Sequence, residues 1–173
     1  MKKTDLKEYI RNIPDFPKAG ILFRDITTLL KDKSAFKQAV NSLCRQYKNK
    51  KIDAVVAVEA RGFILGGVVA YKLGAGFVPV RKKGKLPAET NSVTYSLEYG
   101  TDTLQIHRDA IKAGDKVLIV DDLLATGGTA KAVTDLVQQL QGKVVGIAFL
   151  IELTDLKGKE KLKGYPVYSL IKY

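Results

Sequence analysis

The chain has 173 residues and a formal net charge of +11, from 29 lysines and arginines against 18 aspartates and glutamates. Hydrophobic residues make up 46% and charged residues 27%, which excludes a disordered, collagen-like or disulfide-stapled chain, and the single cysteine, Cys44, cannot pair within its own chain. The length suits one domain with a sizeable core, and the positive excess attracts polyanions (nucleic acid, acidic lipid or a multiply phosphorylated metabolite) without choosing among them.

The polar, basic residues 1–11 have no long apolar run behind them. The longest weakly polar stretch, residues 62–71, is half the roughly 20 residues of a spanning helix. The expectation is a cytoplasmic protein without a membrane segment. Residues 4–13 set Leu6, Ile10 and Ile13 at helical spacing, and Pro14 and Pro17 stop that helix. Residues 15–28 (DFPKAGILFRDITT) are turn-rich and then apolar, as in an ordered loop or cover. Ser34 is placed to cap a helix running to about Tyr47, with Phe36, Val40, Leu43, Cys44 and Tyr47 as its inner stripe.

Residues 54–58 (AVVAV) suit a buried parallel strand. Residues 62–73, rich in small side chains, follow as a helix and 77–80 as the next strand. Residues 92–99 alternate, with Val93, Tyr95, Leu97 and Tyr99 on one face, as in a hairpin arm. Residues 117–120 (VLIV) form another buried strand. Residues 129–141 form a helix with Val133, Leu136, Val137 and Leu140 inward and Gly142 at its end. Strands over 144–151 and 167–171 complete the set. Short buried strands alternating with amphipathic helices predict an α/β fold: an open, mostly parallel, twisted sheet flanked by helices. Ligands of such folds lie beyond the carboxyl ends of the strands. Chemistry is therefore sought just after Val58, Val80, Val120 and Ile151.

The strongest feature is VLIVDDLLATGGT, residues 117–129. An apolar strand ends on two acids, Asp121 and Asp122, and a small-residue loop (Ala125, Thr126, Gly127, Gly128, Thr129) opens the next helix. Backbone N–H groups of such a loop approach an anion closely, and the helix N-terminus adds partial positive charge. Carboxylates beside a phosphate repel it unless they accept from sugar hydroxyls or face a divalent cation. A ribose carrying a 5-phosphate satisfies both halves. A P-loop is excluded because Thr129-Ala130 follows the glycines where Lys-Ser/Thr is required, and no strand is followed by G-x-G-x-x-G.

At these residues the chain resembles the type I phosphoribosyltransferases, and more closely those that act on adenine. The pattern extends through FPKAGILFRDIT (16–27), VEARGF (58–63), RKKGKLP (81–87), YSLEYG (95–100) and IELTDLKGKEKL (151–162), in order and over nearly the whole chain. The resemblance implies one domain over 1–173. Residues 1–33 would form a small N-terminal helix and base-pocket cover, and 34–173 the α/β core with a mobile lid hairpin at about 88–100. It implies Mg2+-dependent transfer of 5-phosphoribosyl from 5-phosphoribosyl 1-pyrophosphate to N9 of adenine, giving AMP and pyrophosphate. It makes Glu59, Ala60 and Arg61 the pyrophosphate loop, often with a strained peptide bond, although Glu59 and Arg61 also read as a helix-starting ion pair. Arg81, Lys82 and Lys85 would stabilise the leaving pyrophosphate, while a solvated basic loop accounts equally for some of Lys82, Lys83 and Lys85.

By the same resemblance, Asp121 and Asp122 hold the ribose hydroxyls and residues 125–129 grip the 5-phosphate. Glu98 approaches the base when the lid closes, and Tyr99 helps to cover the sugar. Phe23 and Leu153 sandwich adenine, and backbone groups of Leu22 and Arg24 read its edge. No lysine lies between Ile151 and Lys157, and the family's 6-oxopurine enzymes usually place one there. Mg2+ would come with the donor, touching Asp121 or Asp122 through water at most. A homodimer with the pyrophosphate loop near its interface is implied, with no nucleic acid and no membrane partner. His107 reads as structural, Cys44 as a small core residue and 157–163 as a solvated basic face. Two alternatives stay open: a nucleic-acid regulator that binds the phosphoribosyl donor without turnover, and a phosphoribosyltransferase for another base.

Overall fold

Near the N-terminus, the apolar spacing that predicts one helix over 4–13 is shared between two shorter elements. The computed structural model describes residues 5–96 and 100–173; Thr4, and Leu97, Glu98 and Tyr99 of the expected lid, lie outside the described residues. Leu6–Tyr9 is a 3-10 turn, started by the Asp5 carboxylate accepting from the backbone N–H of Lys7. Ile10 is extended, and the chain enters strand β1, Arg11–Ile13, which pairs antiparallel with β2, Phe23–Asp25. Pairing with a distant segment overrides the local helical pattern, since propensity is a weak prior. The same pairing makes a strand of part of the stretch expected to be a loop or cover. Helices α1, Thr27–Lys31, and α2, Lys33–Arg45, follow.

The predicted cap at Ser34 is corrected to Asp32, whose Oδ1 accepts from the backbone N–H of Ser34 at 2.9 Å and of Ala35 at 2.8 Å. A carboxylate beside a helix start also gains from the helix dipole, which a hydroxyl does not. The chain divides into two compact units, Met1–Ser42 and Leu43–Tyr173, with the division falling inside α2.

In the first unit, Asp25 joins β2 to α1. Its Oδ1 accepts from the N–H of Thr27 at 2.9 Å, and Oδ2 receives the Arg11 guanidinium at 2.5 Å and the Thr27 hydroxyl at 2.9 Å. The Thr27 N–H, and then Arg11 and the Thr27 hydroxyl against the pull of burial, hold its pKa down at about 2. A depressed carboxyl contributes stability that is present above its unfolded pKa of 3.8 and is lost as pH falls toward 2. Asp25→Asn is therefore expected to cost on the order of 1 kcal/mol at neutral pH. It should also flatten the acid-unfolding curve between pH 4 and 2, as followed by circular dichroism. A curve that overlays the wild type would remove Asp25 from acid stability.

The second unit is built on strands β3, Ala54–Val58; β4, Gly76–Lys82; β5, Thr90–Ser96; β6, Thr101–His107; β7, Lys116–Leu124; β8, Lys143–Glu152; and β9, Val167–Lys172. Helix α3, Arg61–Leu73, links β3 to β4, and α4, Gly128–Gln139, links β7 to β8. Among the described residues the sheet order is β5-β6-β4-β3-β7-β8-β9. The run from β4 through β3, β7 and β8 to β9 is parallel, and the β5–β6 hairpin joins β4 antiparallel.

Every residue of β3 is buried, so the sheet is covered on both faces there. Ala54, Val56 and Val58 share one core with Ile119, Phe149 and the inner stripe of α4 (Val133, Leu136, Val137), while α3 packs on β3 and β7. The predicted open, mostly parallel sheet is the observed architecture. Strand β6 is an addition to it. Its sequence, TDTLQIH, buries only Leu104 and Ile106, too brief an alternation to stand out, and its ladder with β5 decides it. Val93 and Tyr95 do lie on one half-buried face of β5. Cys44 and Tyr47 are buried as expected, and Phe36 is only half-buried.

Candidate active site

Strand β3 leads through α3 to β4 on one side, and β7 enters on its other side. The strand order therefore reverses between β3 and β7, and a crevice opens beyond their carboxyl ends. A cavity of about 340 Å3 lies there, within the range of small-molecule sites. The turn after β3 (Glu59, Ala60, Arg61), the end of β7 (Asp121, Asp122) and residues 125–129 all line it. Both α3 and α4 start at this cavity, at Arg61 and Gly128, so two partial positive charges converge on it.

Two glycines permit this convergence. A Cβ on Gly62 would stand 2.8 Å from Oδ1 of Asp121, so a larger residue there would push that carboxylate aside. Gly127 precedes α4 with φ of 80°, and a Cβ there would run into the backbone carbonyl of Gly158. Gly158 opens the 3-10 segment Gly158–Leu162, and its own Cβ would strike the carbonyl of Ala125. The loop is thus pressed backbone to backbone against a segment that the sequence marks only as basic.

The acids are locked together. Nε of Arg61 lies 2.7 Å from Oδ2 of Asp122, and the backbone N–H of Asp122 donates to Oδ1 of Asp121 at 2.8 Å. Burial, and then the neighbouring charge of Asp122, lifts the carboxyl of Asp121 well above the usual carboxylate range. Burial also raises Asp122, against the opposing pull of Arg61. Such displaced pairs cluster at functional sites.

Glu59 serves a different purpose. Its Oε1 accepts from the N–H of Lys82 at 2.6 Å, and Oε2 lies 3.0 Å from Nη2 of Arg81. Burial would raise this carboxyl, but the Lys82 N–H and Arg81 outweigh it and hold it low. Arg81 also donates through Nη1 to the carbonyl of Lys85 at 3.0 Å. Arg81 and Lys85 therefore brace the cavity wall and lie off its lining, whereas Lys82 lines it. The Glu59–Ala60 peptide is cis.

Two polar lining residues carried no site assignment from sequence. The Tyr95 hydroxyl is 3.3 Å from that of Thr129, and Oδ2 of Asp102 is 3.0 Å from Nζ of Lys82. Both sit on the β5–β6 hairpin, directly opposite one another. Tyr95 was legible as an inward residue, but Asp102 becomes visible only through the hairpin register.

The expected base-reading residues are distributed over both units. In the first, Leu22 is exposed, the Phe23 ring meets Phe16 edge to face at 5.1 Å, and Nη1 of Arg24 donates to Asn12 at 2.5 Å. In the second, half-buried Leu153 follows β8, and its N–H bonds the carbonyl of Leu124 at 2.9 Å. Among the described residues, no group of three or more His, Cys, Asp or Glu side chains is arranged to hold a metal ion. No described helix is long and apolar enough to cross a membrane.

A cavity with two helix starts, a glycine-bounded loop, an acid pair and flanking cations suits a phosphorylated, hydroxyl-bearing ligand. Residues 27–172 match the family model of the phosphoribosyl transferase domain, the class of protein that this fold and cavity define. An adenine phosphoribosyltransferase of Clostridium kluyveri is 62% identical over 169 residues, covering 98% of each chain. The crystal structure of an adenine phosphoribosyltransferase from Thermoanaerobacter pseudethanolicus, 57% identical, superposes with a TM-score of 0.95 over 97% of this chain and 98% of that one. That of the Saccharomyces cerevisiae enzyme, complexed with an imino-altritol bisphosphate and adenine, is 43% identical with a TM-score of 0.90 over 95% of this chain and 96% of that one. The chain belongs to the adenine phosphoribosyltransferase family.

Proposed function

We propose that the protein transfers 5-phosphoribosyl from 5-phosphoribosyl 1-pyrophosphate to N9 of adenine, releasing AMP and pyrophosphate. The observation that carries this reading is the Asp121–Asp122 pair beside the loop 125–129 in one cavity. The loop and the start of α4 hold the 5-phosphate, fixing the sugar for displacement at C1. The acid pair accepts from the ribose hydroxyls and supports the positive charge that develops as the pyrophosphate bond stretches. Arg61 and Lys82 meet the leaving group, while Glu59, Arg81 and Lys85 hold the wall from which Lys82 projects.

Asp121 and Asp122 are hard oxygen donors that would meet a donor-borne Mg2+ through water at most. Such an ion would supply charge neutralisation for the leaving group. Adenine is assigned to Phe23 and Leu153, with backbone groups of Leu22 and Arg24 reading its edge. Glu98 is assigned to the proton of the base and Tyr99 to the cover over the sugar, with 88–100 as a lid that excludes water. The organisation is one catalytic domain, 1–173, in which 1–33 forms the cover and 34–173 the core. The reading includes a cytoplasmic location.

The direct test offers adenine, hypoxanthine and guanine separately, with the donor and Mg2+, and resolves the nucleotides by chromatography. AMP from adenine alone is the expected result. No nucleotide from any base, with salt-sensitive binding of DNA or RNA, would instead identify a regulator.

A homodimer belongs to the same reading. Ile64 and Tyr71 on α3 and Phe77 on β4 are large apolar side chains left 43%, 87% and 38% exposed. Residues 64 and 71 are two turns apart on one helical face, and such exposed surface marks association sites. Sedimentation should give twice the chain mass, and Tyr71→Glu should shift the equilibrium toward monomer. A monomer at all working concentrations of the wild type would remove the dimer.

A further inference from the structure

Among the described lining residues, Asp102 is a carboxylate to which the proposed transfer gives no part. Asp102 lies on β6, opposite Tyr95, and its Oδ1 accepts from the N–H of Thr103 at 2.9 Å, which fixes the direction of the group. Its Oδ2 meets Nζ of Lys82, at the end of β4, at 3.0 Å. The β4–β6 ladder, with Lys82 opposite Leu104, keeps the two side chains adjacent. Both line the cavity, and the backbone N–H of Lys82 donates to Glu59. A site for a polyanion gains nothing from a fourth acid unless that acid does something when the polyanion is absent or departing.

We propose that Asp102 is a built-in stand-in for pyrophosphate: it holds the Lys82 ammonium in the empty site and competes with departing pyrophosphate for it, so that the product is released. The inference rests on the assignment of Lys82 to the pyrophosphate side of the cavity. An ammonium and a carboxylate that are 62% and 22% exposed form a weak pair, which a multiply charged phosphate displaces on arrival and which re-forms as it leaves. Asp102 heads the causes that raise the Lys82 ammonium above its ordinary value, as befits a paired cation. Asp102 is a positioning residue, acting on the reaction through Lys82.

The test measures pyrophosphate as a product inhibitor against the donor, together with pre-steady-state AMP formation. Asp102→Asn is expected to lower the inhibition constant of pyrophosphate about fivefold, the scale of a weak exposed pair. It should lower the donor KM in the same direction. Where release limits turnover, a burst of AMP followed by a slower steady state appears. Asp102→Ser, which keeps an acceptor for the Thr103 N–H, gives the same reading should the asparagine variant fold poorly, and Asp102→Glu restores weaker pyrophosphate binding. In a Lys82→Met background, Asp102→Asn should change nothing further, because the two residues act as one unit.

An inhibition constant unchanged or raised in Asp102→Asn, or an undiminished effect in the Lys82→Met background, overturns the proposal. Pyrophosphate that fails to compete with the donor in the wild type would instead overturn the reading of the site itself.

Discussion

Asp122→Asn is expected to lower kcat by about a hundredfold, the scale of removing one preorganised electrostatic group, while the fold persists. Asparagine matches aspartate in shape, and the residue is only 6% exposed, so the packing around it is kept. What is lost is the charge that pairs with Arg61 and that, on the proposed reading, supports the ribosyl centre as it turns positive. Arg61, 37% exposed, turns to solvent without the penalty of a buried orphan cation.

The pH profile supplies a second readout. Asp121 is lifted first by burial and then by the charge of Asp122. An acid raised in this way keeps its proton to higher pH, so the acid limb of kcat/KM should fall above the ordinary carboxylate range. Asparagine at 122 removes one of the two causes, and the limb should move to lower pH without reaching the free-carboxyl value. Full activity in the variant, with an unmoved acid limb, would exclude the ribose role of Asp122.

Gly127→Ala is expected to disable donor binding. A left-handed backbone at φ of 80° costs an L-residue about 1–2 kcal/mol. The added methyl meets the carbonyl of Gly158, and relieving such overpacking costs about 1–3 kcal/mol. The neighbour is backbone, tied into the segment that follows β8, so the loop itself must yield. Its N–H groups then leave the position proposed for the 5-phosphate. A donor KM raised at least tenfold is expected, with Tm lowered on the order of 10 °C.

Gly164 is the control, since it too has positive φ, at 94°, but no atom within 4 Å of a Cβ. Gly164→Ala should lower Tm by strain alone and leave the donor KM as it is. Equal donor KM values for the two variants would show that the contact with Gly158 has no part in shaping the loop.

The residues divide according to how far their partners lie along the chain. Apolar runs such as 54–58 and 117–120 were legible as strands because burial on both faces demands a continuous apolar run. The loop after Asp122 was legible because glycines, hydroxyls and a helix start leave a local signature. Strand β6 was not, because two buried side chains in seven residues make no pattern until β5 pairs with them. The N-terminal helix was overdrawn for the converse reason: the spacing of Leu6, Ile10 and Ile13 is helical, but Arg11 finds Asp25 fourteen residues away.

The sequence by itself determined the class of fold, the acid pair, the small-residue loop that opens α4 and the family pattern that spans the chain, since each is written in neighbouring residues. Only the tertiary structure decided which charges share the cavity. It turned Arg81 toward Glu59 and away from the lining, joined Arg61 to Asp122, set Asp102 on Lys82 and pressed Gly158 against the loop at Gly127. An ionic or backbone partner is chosen by strand register and distance in space, and neither can be read from the spacing of the residues that meet.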